Sequence, residues 1–398
     1  MKTLTDCYYT TPQEFGAAGN GFSDDTDAIR LAAEEAAKTG KTLFFPAGTY
    51  RTDVFKVPAA VEIRAQATWS YRKPGRTVLV PLSDKQNCVL DVSDALGTTL
   101  YGIAIDGQGK GENLHGLFMN RENHVTFGEH SLRVDTCQVR GCTGNGFHAE
   151  GAWAVSVRKS QFIENEGYGM YLDGCDAFIV DNWFSFNGKA GFGGDTWNSA
   201  VNFTSNRIEW NKDCGVRLSG GMRYNITGNY FDRQFGPALV IEDAENFHKR
   251  LKKTHTVMPY AITVTGNNFV RSGKDAEPGS DRDCHIYMRR AAGITVSANT
   301  FNIWKDDGRN GRISPFYGII TEKCAHCVIT SNAMLPGAVK ELIHDKGGHG
   351  EGMVVKDNAG AVLPEAAYDC QDPFTPVHFM SEGGAPWYSE QLEGENNN

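Results

Sequence analysis

The sequence predicts an all-β chain wound as a right-handed parallel β-helix, a solenoid with a short N-terminal capping α-helix. Three observations predict it. A strand-like motif recurs at near-constant spacing, an Asn recurs at one place in successive units, and no second convincing long helix follows residue 40. The motif is a Gly followed by apolar, any, apolar and polar residues, as in GLFMN (116–120), GFHAE (146–150), GMYLD (169–173), GFGGD (191–195) and GVRLS (215–219). ALVIE (238–242), HIYMR (285–289), GIITE (318–322) and ELIHD (341–345) continue it. The first apolar residues fall at 117, 147, 170, 192, 216, 239, 286, 319 and 342, which gives a basic unit of 22–24 residues with insertions. Units this short cannot bury an apolar face alone and must stack. A leucine-rich repeat has a similar period, but its Leu pattern and intervening helices are missing.

The elements follow in order. Residues 24–38, DDTDAIRLAAEEAAK, read as an amphipathic helix; Asp24 or Asp25 can cap it and Gly40 follows its end. TLFFPAGTY (42–50) is β-rich and broken by Pro46 and Gly48. Within each repeat a second strand precedes an Asn, giving the column Asn182, Asn206, Asn229, Asn267, Asn299 and Asn332. One Asn per turn reads as a structural ladder. The expected division is a cap over 1–55, a β-helix over 56–358 and a tail over 359–398 that covers the open end or reaches a neighbouring subunit.

Residues 13–50, QEFGAAGNGFSDDTDAIRLAAEEAAKTGKTLFFPAGTY, carry FGA-x-G-N-G, DDT-x-AI and FPAGTY in sequence. This segment resembles the N-terminal signature of the pectate-lyase-like superfamily of single-stranded right-handed β-helices. The resemblance implies a carbohydrate-active protein: a lyase, a glycoside hydrolase, an epimerase or a tailspike. It also implies a carbohydrate partner and a homotrimer. It assigns Asp24, Asp25 and Asp27 to the cap.

Composition narrows the field. Lys and Arg number 39 against 48 Asp and Glu, a net charge of −9, which disfavours a nucleic-acid partner. No apolar run reaches the roughly 18 residues of a membrane span, so no membrane partner is expected. The start, MKTLTDCYYTT, has no apolar core or cleavage site, and the ten Cys are scattered; a cytoplasmic protein with free thiols is the expectation. Cys324-Ala-His-Cys327 has no second ligand pair, so neither a metal nor another cofactor is expected.

Side chains alternate along a strand, so the residues between the apolar ones face outward. One outward column holds His148, Tyr171, Gly193, Arg217 and Tyr287; the other holds Glu150, Asp173, Asp195, Glu242 and Arg289. The second places three carboxylates, Glu150, Asp173 and Asp195, on successive rungs about 4.8 Å apart. Stacked like charges cost stability, and a carboxyl with a raised pKa beside an ionised one is the equipment of glycosidic cleavage. The reading is a glycoside hydrolase with Asp173 as general acid and Asp195 or Glu150 as base or nucleophile. His148, Tyr171, Trp197, Arg217, Glu242, Tyr287 and Arg289 are expected to bind sugar. The alternatives are a polysaccharide lyase using Tyr171 or His148 with Arg217 and Arg289, a fructotransferase-like transglycosylase, and a tailspike-like glycan-binding protein. Long excursions at 245–257, 271–284 and 302–316 are expected to wall the site.

Overall fold

The computed structural model describes residues 8–121, 129–195, 198–248, 253–302, 312 and 314–362. Trp197, the tip of the basic excursion with Lys249, Arg250 and Lys252, most of the 302–316 excursion and the tail after residue 362 lie outside the described residues.

Helix α1 spans Thr26–Thr39 and buries Ala28, Ile29, Ala32, Ala33 and Ala36 in the core at the N-terminal end of the coil. The two candidate capping residues divide the work. Asp24 accepts the Thr26 N–H at 2.9 Å, while the buried Asp25 accepts the N–H groups of Ala18 and Gly19 at 2.7 and 3.2 Å. Asp25 thereby ties the FGAAG turn to the helix start. Gly40 ends the helix at φ 68°, a left-handed position that costs a Gly little.

The chain is a solenoid of parallel strands, which among the described residues form two sheets of 23 and 13 strands that begin within the cap. The larger sheet folds over two faces of the solenoid. In one coil Met170–Val180 runs across both of those faces and Trp183–Ser185 joins the smaller sheet. The core is a column of inward side chains; along the smaller sheet Phe162 stacks on Phe184, Ile208 follows, and Phe231, Phe269 and Phe301 stack in succession.

The register of the first face follows the repeat. Leu117, Phe147, Met170, Phe192, Val216, Leu239, Ile286 and Ile319 pair in succession. The last unit is one residue out: Ile343, not Leu342, pairs with Ile319. Leu342 and Ile343 are both apolar, and the pattern alone does not choose between them.

The Asn column is a continuous ladder. Each Asn donates its backbone N–H and Nδ2 to the Oδ1 of the Asn one coil later, from Asn182 through Asn206, Asn229, Asn267, Asn299 and Asn332 to Asn358. A second amide ladder, absent from the sequence reading, runs through Asn165, Asn187, Asn211 and Gln234.

Two excursions flank the first face. The antiparallel hairpin Ala244–His248/Lys253–Val257 leaves the end of its strand, and the loop 271–283 enters at the start of the next one. That loop is pinned: Arg282 pairs with Asp213 at 2.7 Å, and the buried Asp283 receives Arg312 at 2.7 Å to both oxygens. The groove lies earlier on this face, over the outward surface of the first strands from Cys88–Asp91 to Phe192–Gly194, and neither described excursion lines its cavities, contrary to the expectation that they wall the site.

Candidate active site

Phe118, His148 and Tyr171 occupy one outward column on three successive rungs. Their rings stack with centroids 5.5 and 5.0 Å apart and planes within 8° of parallel. His115 stacks on His148 at 4.6 Å. The column then breaks at Gly193, which pairs with Tyr171 and has φ 135°. A Cβ there would lie 1.9 Å from the Arg217 carbonyl oxygen, so backbone geometry itself forbids a side chain on this rung.

In the second column Asn120, Glu150 and Asp173 pair directly. Glu150 is held on both oxygens: Asn120 Nδ2 donates to Oε2 at 2.9 Å and His148 Nε2 lies 3.2 Å from Oε1. Asn145 Nδ2 donates to His148 Nδ1 at 2.8 Å, which assigns the His148 proton to Nε2, facing Glu150. Burial lowers the His148 pKa, with Glu150 opposing that shift. Burial, with His148 beside it, pushes His115 down to about 4. Both rings are therefore neutral at neutral pH.

Asp195 departs from the expected stack. Tyr171 pairs with Gly193, an offset of 22, and Gly174 pairs with Asn198, an offset of 24. The later coil thus carries two extra residues where Asp195 lies, and no ladder pair joins Asp173 to Asp195. The three carboxylates are not one in-register column. Asp195 Oδ1 instead accepts the Tyr168 hydroxyl at 2.5 Å. Tyr168 is almost fully buried, and burial followed by the Asp195 charge raises its pKa well above the ordinary phenol value. It keeps its proton and acts as a donor. Lys189 Nζ lies 5.6 Å over the Tyr168 ring.

His148, Glu150, Tyr171 and Asp195 come together in one cavity of about 440 Å³, with His115, Asn145, Tyr168 and Lys189 among its other walls. The remaining candidates lie further along the same face. Arg217 pairs with Asp213 at 2.9 Å and also with Glu242, and Arg289 pairs with Asp243 at 3.1 Å and Glu242 at 3.7 Å. Tyr287 is 7% exposed and packs with Val240, Tyr317 and Ile320, so it is a floor residue more than a sugar platform. Trp197 falls outside the described residues. Cys324 and Cys327 are buried, and no group of three or more metal-ligating side chains occurs among the described residues.

The sequence reading missed Tyr168, Asn145 and Lys189. They had a signal: each stands two or three residues before the repeating apolar residue of its rung, at Phe147, Met170 and Phe192. Extending the repeat two or three residues upstream exposes this wall.

Residues 82–231 match the family model "Right handed beta helix region". The match covers less than half of the chain, and it agrees with the coil geometry in giving a right-handed parallel β-helix fold. Among curated proteins it is 28% identical over 355 residues to a capsule K30/K69-specific depolymerase of Klebsiella phage K64-1, covering 84% of this chain and 42% of that protein. It is 23% identical over 264 residues to a probable glucan endo-1,3-beta-glucosidase of Arthroderma benhamiae, covering 58% of this chain and 27% of that one. The chain thus spans less than half the length of either relative. Among solved structures, the A-module of the Azotobacter vinelandii mannuronan C-5 epimerase AlgE4 superposes with a TM-score of 0.64 at 16% identity, over 89% of this chain and 96% of that one. That likeness is one of fold.

Proposed function

We propose that the protein is a glycoside hydrolase that cleaves an oligo- or polysaccharide in this groove. The observation that carries the proposal is the direct pairing of Glu150 with Asp173 on adjacent strands, beside a stacked His–Tyr platform. Adjacent strands lie about 4.8 Å apart. That spacing suits the roughly 5–5.5 Å carboxyl separation of a retaining mechanism. Glu150, oriented by donors on both oxygens, serves as the nucleophile that bonds to the anomeric carbon as the leaving oxygen departs. Asp173 is the acid that protonates the leaving oxygen and then deprotonates water. Asp195, fixed by Tyr168, binds sugar hydroxyls across the cavity. The relatives named for depolymerisation and for 1,3-glucan cleavage support a polysaccharide substrate.

Elimination on a uronate needs a base and a cation for the sugar carboxylate. The two arginines available for that role, Arg217 and Arg289, are already committed to acidic partners, and Tyr168 is held in its protonated form. Hydrolysis needs no cation for a sugar carboxylate, and its base is Asp173 itself. The test is a panel of capsular polysaccharides, β-1,3-glucan, α-1,3-glucan and alginate, read for new reducing ends and for the ultraviolet absorbance of unsaturated products. The expected result is reducing ends without that absorbance, abolished by Asp173→Asn. Unsaturated products, or full activity in Asp173→Asn, would overturn the reading.

A further inference from the structure

The cavity over the carboxylates is not the end of the groove. A second cavity of about 720 Å³ adjoins it toward the N-terminal coils, lined by Asp84, Lys85, Gln86, Gly111 and Glu112 together with Asn87 and Asn113. Asn87 and Asn113 line both cavities, so the two are continuous. Both residues are exposed, and each stands just ahead of a groove strand, at Cys88–Asp91 and His115–Asn120. Those strands pair directly, which puts the two amides on successive coils, with Asn145 on the coil after. Asn145 is spent within the protein: its Nδ2 serves His148 and its Oδ1 accepts the Tyr168 N–H at 2.8 Å. Gln86 is likewise spent, donating to the Cys88 carbonyl at 2.9 Å. Among the described residues, no such internal hydrogen bond engages the side-chain amides of Asn87 and Asn113.

We infer that Asn87 and Asn113 form non-catalytic subsites that hold uncharged sugar units of a longer chain, on the N-terminal side of the carboxylates. This rests on the proposed hydrolase reading and extends it to substrate length. An exposed side-chain amide presents two donors and an acceptor in one plane and can engage two neighbouring hydroxyls at once. They stand on successive coils, whose strands are about 4.8 Å apart, with Asn87 one residue and Asn113 two residues ahead of the paired Cys88 and His115, a separation on the scale of one sugar unit along an extended chain. The charged groups of this arm are Asp84 and Glu112 against Lys85, a net negative wall that favours neutral over anionic units. Together the cavities accommodate a chain several units long, so the enzyme acts on polymers or long oligosaccharides and handles disaccharides poorly.

The test uses the full chain with Asp173→Asn, which should bind without cleaving, in native gels containing each polymer of the panel. Retarded migration is expected in at least one gel. Adding Asn87→Ala and Asn113→Ala together should weaken that retardation by about tenfold while leaving the melting temperature unchanged, because both side chains are exposed. In the cleaving protein the same pair should lower kcat/KM for oligosaccharides of six units by a larger factor than for those of two or three units. Retardation insensitive to both substitutions, or no retardation in any gel, overturns the inference. Asn-dependent retardation without turnover by the unsubstituted protein leaves the inference standing and sinks the hydrolase reading alone.

Discussion

The two halves of the first face are built on the same strands and differ in what their carboxylates touch. At Glu150 and Asp195 the neighbours are amides, imidazoles and a phenol. One to two rungs beyond Asp195, Asp213, Glu242 and Asp243 are bound by Arg217, Arg282, Arg289 and Arg290. Ladder geometry is therefore not what separates reactive acids from structural ones. A carboxylate surrounded by neutral donors keeps its charge available to a substrate, and one locked to guanidinium does not. The C-terminal half is braced and the N-terminal half is poised.

One substitution in each half puts this contrast at risk. Glu150→Gln is nearly isosteric, so turnover should fall by at least about a thousandfold while the melting temperature moves by no more than a few degrees. Equal loss of fold and activity would make Glu150 another brace. Arg217→Met should do the reverse. It leaves Asp213 and Glu242 partly buried and short of a partner, and breaking a buried pair typically costs about 3–5 kcal/mol. Arg217 is 17% exposed, which places this site at the lower end, about 3 kcal/mol by denaturant unfolding. A cost below about 1 kcal/mol would mean the network is a solvated surface.

A pH-dependent effect separates two histidines. His115 lines the cavity, whereas His285 lies in the core beside Phe269 and Phe301. Burial pushes His285 down to about 3 from an ordinary 6.5. A depressed histidine favours the fold in its neutral form, so the unfolded chain gains the proton first. Stability is lost as pH falls below about 6.5 and continues to fall to about 3. His285→Gln removes one such proton, and its melting temperature should decline less steeply than that of the parent across this window. Parallel curves would show that His285 does not feel its burial.

Much of the fold was legible because a solenoid repeats its constraints. The Gly-bounded strands, the Asn column and the cap signature each recur or cluster in sequence, and eight of the nine rung positions pair as the spacing predicts. The slip at Ile343 shows the limit, since two adjacent apolar residues satisfy the same pattern. The site was less legible. Glu150 and Asp173 were visible through alternation, but the two residues that carry Asp195 off the ladder look like part of one more regular unit. Tyr168 was hidden because its partner sits on the following coil, and no local pattern joins residues 168 and 195. The compensation of Glu242 by Arg217 was hidden for the same reason: a column shows who faces outward, not which side chains meet.

The Asn ladder has a direction. Every rung offers its donors to the coil that comes after it, and receives on its own Oδ1 from the coil before. A coil that has already formed therefore exposes a ready amide to the next one as it leaves the ribosome. The protein can be laid down as masonry is, course on course from the capped end, with each finished layer serving as the gauge for the one above.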